Sequence, residues 1–197
     1  MNKSRLEAFS DGVFAIIITI MVLELKIPEK ADMAAVQPLI PVFICYLLSF
    51  IYIAVYWNNH HHLMHTIKRV NASIMWANMH LLFWLSLVPF ATGWMGRTNF
   101  DRITVATYGG LLILCGLSYT ILSKAIMRTY KEKGPLACAL AKSDTKGIIS
   151  VIVYCISIPA ALYVHPLLSA VLFAVIAIIW LIPSRDIEKA LEMEHHR

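Results

Sequence analysis

Residues 5–25 read RLEAFSDGVFAIIITIMVLEL, and this stretch decides the fold class. Charged residues stand just before an apolar run, residues 13–23, in which Thr19 is the single polar side chain. A helix needs about 20 mostly apolar residues to cross a hydrocarbon layer of about 30 Å. The stretch therefore predicts a membrane-spanning helix that carries its charged residues at one end.

Six apolar stretches of near-spanning length occur in the 197 residues, of which 59% are apolar and 15% charged: roughly 8–25, 39–57, 74–94, 103–122, 148–164 and 166–182. Because backbone polar groups must be satisfied internally in lipid, long apolar segments without strand alternation favour helices. The predicted fold class is all-α, a polytopic membrane protein with six transmembrane helices. We expect one membrane domain over residues 1–185 and a short cytoplasmic tail over 186–197.

Two connections between these stretches carry local signals. The dipeptide His165-Pro166 separates the last two stretches, and it predicts a tight helical hairpin rather than one broken helix. Residues 131–146 contain Gly134-Pro135 and charges of both signs, which are typical of a loop. We expect that loop to lie in the cytoplasm.

The basic residues indicate how the chain is oriented in the membrane. With six spans, only four of the 17 Lys and Arg residues fall on one side, namely Lys26, Lys30, Arg97 and Arg102. Lys and Arg are enriched in cytoplasmic loops, so both termini are predicted to be cytoplasmic in a multi-pass protein of the plasma membrane. The net charge of +5 comes from basic residues that lie between the apolar stretches, where they determine orientation in the membrane rather than form a surface for nucleic acid. We therefore expect the lipid bilayer as a partner and no nucleic acid.

Arg5, Phe9, Ser10 and Asp11 introduce the first apolar run, and two interpretations of them are open. Ser10 or Asp11 could cap the start of a helix, where the helix dipole favours an acid. Alternatively, they have polar partners on another helix, because an ionisable residue inside a membrane segment costs roughly 2.5–3.5 kcal/mol on insertion scales.

The pattern R-x-x-x-F-S-D at residues 5–11 resembles the signature of the transmembrane protein 175 family of potassium channels. The resemblance extends through Trp57-x-x-His60-His61, the region of Asn78, and Pro89-Phe90. It implies a homotetramer around a central pore, with one six-helix unit per chain and potassium as the permeant ion. It also implies that the first helix lines the pore and that Ile16, Ile20 and Leu23 form a constriction.

Spacing along the first helix is compatible with that implication, because positions 16, 20 and 23 share one helical stripe with Thr19 beside it. The chain has no T-V-G-Y-G loop, so a filter of backbone carbonyls is not expected. The resemblance further makes Trp57, His60 and either Asn78 or Trp84 candidate partners for Arg5, Ser10 and Asp11. Arg5, Phe9, Ser10 and Asp11 are thus assigned to anchoring the first helix.

Two other functional classes compete with a channel as interpretations of the sequence. The cluster His60-His61-His62-x-x-His65 places imidazoles one helical turn apart, but a membrane di-iron enzyme needs several such boxes. We therefore expect no enzyme, no catalytic residue, no metal and no cofactor, although the pattern leaves open whether the cluster binds an ion or senses pH. An ion-coupled secondary transporter is the alternative function, disfavoured because no paired broken helices are visible.

Overall fold

The computed structural model describes residues 2–67, 69–130 and 135–181, with the backbone alone for residues 135–145. Within these ranges all regular structure is helical, which confirms the all-α prediction. The α-helices are α1 (Lys3–Leu23), α2 (Met33–Val36), α3 (Ile40–His65), α4 (Ala72–Ser86), α5 (Val88–Arg97), α6 (Arg102–Met127), α7 (Pro135–Pro159) and α8 (Pro166–Leu181). A 3₁₀ turn at Gln37–Leu39 precedes α3, and a π-helical turn at Ala160–Val164 follows α7.

Five segments of the described chain are long and apolar enough to cross a membrane: Lys3–Leu23, Met33–His65, Ala72–Arg97, Arg102–Met127 and Lys146–Val164. A shorter apolar helix, α8, adds 16 residues. These six segments coincide with the six predicted stretches. At 1.5 Å per residue, the 21 residues of α1 extend about 30 Å, which matches the hydrocarbon thickness. The chain is a multi-pass membrane protein.

The last two apolar segments form the predicted helical hairpin. The Ser169 hydroxyl donates to the carbonyl of Ser157 at 2.7 Å, and the Trp180 indole N–H donates to the Ser150 hydroxyl at 2.8 Å. The later residue of α8 contacts the earlier residue of α7, so the two helices run antiparallel. This geometry confirms the hairpin and excludes one continuous broken helix.

The prediction of a loop over residues 131–146 is wrong for residues 135–146, whose backbone belongs to α7. Pro135 stands at the first helical position, where a missing N–H costs nothing, and the sequence that follows, LACALA, has high helix propensity. The proline was therefore a helix start rather than a breaker. Residues 131–134 and the predicted domain boundary at 185–186 lie outside the described residues.

The capping interpretation of Ser10 and Asp11 is also wrong. α1 begins at Lys3 after Asn2, so both residues lie more than one turn inside the helix. Leu6 and Ser10 already occupy its buried face. The polar residues therefore need partners other than the free N–H groups of a helix start.

Contacts between helix ends fall into two groups at opposite ends of the bundle: Lys3 with His65 and Tyr130 with Thr66 at one end, and Glu24 with Arg97 and Arg102 with Leu162 at the other. The start of α1, the end of α3 and the end of α6 therefore lie together. The end of α1 lies with the end of α5 and the start of α6. Successive spans alternate in direction, as expected for a chain that crosses a layer repeatedly.

The core is built around α3 and α6. α6 packs between α4 and α7, and α3 packs against α5 and α1. Tyr108 of α6 is fully buried in this core. The centroids of its ring and the Phe173 ring are 5.7 Å apart, and its hydroxyl shares a 2.8 Å hydrogen bond with the Ser49 hydroxyl. The Thr92 hydroxyl oxygen lies 2.6 Å from that of Ser49 and 2.7 Å from the carbonyl of Val88, so these buried hydroxyls have hydrogen-bond partners.

Close packing of α5 on α3 depends on Gly96, and we expect Gly96→Ala to destabilise the protein by about 1–3 kcal/mol. A Cβ at this position would lie 2.7 Å from the Cα of Val42, so the two backbones would have to separate. Gly110→Ala in α6 is the matched control, because its Cβ would meet nothing within 4 Å. Thermal unfolding in detergent measures both, and equal melting temperatures for the two variants would contradict the packing argument.

Candidate functional site on the first helix

The two sides of α1 differ in exposure. One side is buried against the rest of the chain at intervals of three and four residues: Leu6, Ser10, Phe14, Ile17 and Met21. This spacing keeps the residues on one helical face, which packs mainly against α3, α4 and α5. The rotation of α1 about its own axis is therefore fixed by its own chain.

The residues predicted to line the pore lie on the exposed side of α1. Ile16 is 56% exposed, Ile20 46% and Leu23 77%, although each is a large apolar residue. Thr19 is also exposed, and its hydroxyl donates to the carbonyl of Ile16 at 2.9 Å. Because that bond uses the hydroxyl proton, the Thr19 oxygen can act toward any further partner only as an acceptor.

Asn78 of α4 is the centre of a buried polar chain that ties α1 to its neighbours. Its amide N–H donates to the Ser10 hydroxyl at 2.9 Å, and Ser10 in turn donates to the carbonyl of Leu6 at 2.8 Å. The amide oxygen of Asn78 lies 2.7 Å from Nε2 of His60. Since this oxygen can only accept, Nε2 of His60 carries the proton. Ser10, His60 and Asn78 are all fully buried.

A second contact lies one residue along α1. The Trp57 indole N–H donates to Oδ1 of Asp11 at 2.9 Å, which joins α1 to α3. The carboxylate thus has a charge-assisted partner at the head of the apolar run. Trp84, the other candidate partner, instead donates to Nε2 of His80 at 2.9 Å within α4.

Arg5 and Phe9 stand outside both contacts. Arg5 is exposed and makes no side-chain hydrogen bond or ion pair in the part of the chain that the structure describes. Phe9 is half exposed on the same side of α1 as Ile16. The structure therefore brings together Ser10, His60 and Asn78, and separately Asp11 and Trp57. Arg5 and Phe9, which were also predicted to anchor the first helix, make no such polar contact within the described residues.

At its other end α1 is held by an ion pair. The guanidinium of Arg97, at the end of α5, donates to the carboxylate of Glu24 directly after α1. Glu24 lies so close to α5 that a Cβ on Gly93 would overlap its carboxylate. Both ends of α1 are thus held by other helices of its own chain, and the exposed side of α1 between these ends is not covered by them.

Glu7 is a residue that the sequence reasoning missed. Its carboxylate Oε1 lies 3.6 Å from Nδ1 of His61 and 3.7 Å from Nε2 of His65. The signal lies in the antiparallel register of α1 and α3: Asp11 meets Trp57, Glu7 meets His61 four residues away on each helix, and Lys3 meets His65 after four more. Once one pair is known, the others follow.

Comparison with known proteins places these features in a family. Residues 5–89 match the family model described as "Endosomal/lysosomal potassium channel TMEM175". A potassium channel of Chryseobacterium sp. (strain P1-3) is 53% identical over 192 residues, which cover 98% of this chain and 99% of that protein. The chain belongs to the TMEM175 family. The resemblance of the first-helix motif is thereby confirmed.

Other TMEM175 relatives differ in how much they share with this chain. A crystal structure described as that of "a lysosomal potassium-selective channel TMEM175 homolog" from Chamaesiphon minutus superposes with a TM-score of 0.80 at 26% identity, over 91% of this chain and 96% of that one. The mouse protein, named an endosomal/lysosomal proton channel TMEM175, is 29% identical over 103 residues, 46% of this chain and 21% of its own length. These TMEM175 relatives are named as channels, and the family is one of channels rather than enzymes.

Proposed function

We propose that this chain is a subunit of a potassium-permeable cation channel, assembled as a homotetramer with α1 lining a central pore. The observation that carries the proposal is the exposed side of α1, with Ile16, Thr19, Ile20 and Leu23 uncovered while the opposite side is buried and anchored. The relatives named as potassium channels support the choice of ion. One exposed stripe cannot enclose an ion path, so conduction requires several copies.

The composition of this side favours a pore over a lipid-facing surface. Lipid-facing side chains are apolar, but this side also carries Thr19 in its middle and, at its start, the cation Arg5, which has no ion-pair partner among the described residues. A charge without a partner in its own chain is expensive next to lipid, and it is better placed against a neighbouring subunit or water. Arg5 and Phe9 are therefore assigned to contacts between subunits.

Selectivity arises at a hydrophobic constriction. In an assembly around one axis, Ile16, Ile20 and Leu23 each become a ring of apolar side chains, and the hydroxyls of Thr19 lie between the first two rings. An ion that passes such a ring loses part of its hydration shell. The loss costs less for potassium, which holds water more weakly than sodium does, so the barrier favours potassium.

The buried contacts of α1 support conduction by fixing which residues face the axis. The chain from His60 through Asn78 to Ser10 and the bond from Trp57 to Asp11 hold α1 against α3 and α4. A turn of α1 by one residue would move Ile16 off the axis by about 100°. The motif residues Ser10 and Asp11 thus act as positioning residues.

The same proposal includes location and orientation. Residues 1–185 form the channel domain in the plasma membrane, and both termini, with the tail at 186–197, lie in the cytoplasm. The excess of Lys and Arg on that side and the alternating directions of the spans support this arrangement.

Single-channel recording of the purified full chain in planar bilayers, with potassium on one side and sodium on the other, tests the function. We expect unitary current steps and a reversal potential that is displaced from zero toward the potassium equilibrium potential. Flux at a fixed ion stoichiometry without unitary steps would instead indicate a transporter. Light scattering of the detergent-solubilised protein tests the assembly, and a mass other than that of four chains would overturn the tetramer.

A further inference from the structure

Glu7, His61 and His65 form a compact group of metal-ligating side chains, separate from the exposed face of α1. Nε2 of His61 and Nε2 of His65 are 3.1 Å apart, one turn of α3 from each other. Glu7 reaches them from α1, with Oε1 3.7 Å from Nε2 of His65. One ligand atom from each residue lies within 4.8 Å of the other two. Three donors on two helices thus converge on one point.

We propose that Glu7, His61 and His65 bind a divalent transition-metal ion, for which Zn²⁺ is the best match. Two imidazoles and a carboxylate are the donor set that zinc takes in three-residue sites with water as the fourth ligand. Bonds of about 2.0–2.2 Å to a common tetrahedral ion place the donor atoms roughly 3.3–3.6 Å apart. The separations of 3.1 Å between the two Nε2 atoms and 3.7 Å between Nε2 of His65 and Oε1 of Glu7 need only small side-chain adjustments to reach that geometry.

The hydrogen bonding of the cluster is incomplete without an ion. Nδ1 of His61 is buried and makes no hydrogen bond, which is costly for an imidazole nitrogen. The Nε2 atoms of His61 and His65 face each other 3.1 Å apart, so without an ion one of them must donate its proton to the other. A metal ion bound by both Nε2 atoms would take the place of that shared proton.

The surroundings favour access and fix the ring of His61. His65 is exposed at the end of α3, so an ion can reach the cluster from water. The Trp57 indole stacks on His61, with ring centroids 5.8 Å apart and planes at 26°. The ammonium of Lys3 is bonded to the carbonyl of His65 rather than to Glu7, so the carboxylate remains available as a ligand.

A bound ion would bridge α1 and α3 beyond the Asp11–Trp57 bond, toward the start of α1. The site requires only the fold of a single chain. Its occupancy is therefore independent of the proposed conduction, and either can fail without the other.

Isothermal titration of Zn²⁺ into the purified, tag-free full chain tests the proposal. We expect one high-affinity ion per chain and a loss of at least about tenfold in affinity for Glu7→Gln and for His65→Ala. His62→Ala is the matched control within the histidine run, and a His195→Ala, His196→Ala double variant removes the two histidines near the C-terminus. Both controls should bind as the parent does.

Cobalt substitution supplies a second readout that a purely structural role would not move. Co²⁺ in a tetrahedral nitrogen and oxygen site gives intense visible d–d bands, and these should appear with the parent and vanish with Glu7→Gln. Unchanged zinc affinity in Glu7→Gln and His65→Ala would overturn the site. Absence of saturable binding by the parent, or equal losses in His62→Ala and His65→Ala, would overturn it as well.

Discussion

Ile16→Asn is expected to raise the sodium-to-potassium permeability ratio about tenfold, which corresponds to about 1.4 kcal/mol of differential barrier. Ile16 stands first on the exposed stripe of α1 after the motif, at the position that the proposed assembly turns into a dry collar. Asparagine side chains would offer oxygens that replace lost hydration water. Because sodium pays the larger dehydration cost, it gains more from these oxygens than potassium does.

Val22→Asn is the control for this prediction. Val22 is an exposed aliphatic residue of α1 as well, but it lies about 120° around the helix from Ile16. The same change of side chain should therefore leave the reversal potential under bi-ionic conditions near that of the parent. Equal permeability ratios for the parent and Ile16→Asn would contradict the constriction, whereas a shift in both variants would contradict its assignment to the stripe.

Asn78→Leu is expected to lower the free energy of unfolding by about 2–3 kcal/mol, because it leaves buried polar groups without partners. Nε2 of His60 loses the amide oxygen that accepts from it at 2.7 Å, and the Ser10 hydroxyl loses the amide N–H that donates to it. Leucine has a similar volume, so the change acts through hydrogen bonding more than through packing. Thermal or detergent-induced unfolding of the purified protein provides the measurement.

Asn58→Leu makes the same chemical change at an exposed position of α3, and it should cost little. A double variant, Asn78→Leu with His60→Leu, removes the orphaned imidazole and should recover at least about 1 kcal/mol of the loss. If Asn78→Leu and Asn58→Leu are equally stable, the buried chain does not hold α1. If the double variant loses more free energy of unfolding than the two single variants lose together, the imidazole contributes through another contact.

The parts of the fold that follow from local patterns could be predicted from the sequence. Length and apolarity give the six spans, and the proline after His165 gives the hairpin, because both are properties of consecutive residues. The stretch beginning at Pro135 could not be assigned in this way. A proline preceded by glycine indicates a turn as readily as a helix start, and the helical choice depends on the residues that follow.

In the candidate site, too, local features could be predicted from the sequence and contacts between helices could not. The stripe of Ile16, Ile20 and Leu23 is visible as helical spacing, but whether that stripe is buried depends on which side of α1 its neighbours cover. Glu7 was missed because its partners are on another helix, and only the register of α1 against α3 brings it to His61. Contacts between helices are not encoded at a fixed spacing along the chain, so the sequence alone left them open.

The anchoring bonds of α1 also impose an order on synthesis. Asp11 finds its partner 46 residues later in the chain, and Ser10 finds its partner 68 residues later. A ribosome has therefore to complete α3 and α4 before the first helix can satisfy these groups inside its own chain. Until then, the polar groups of nascent α1 must find partners in water or in the insertion machinery. In a chain that stops before α4, Ser10 lacks the amide that donates to it.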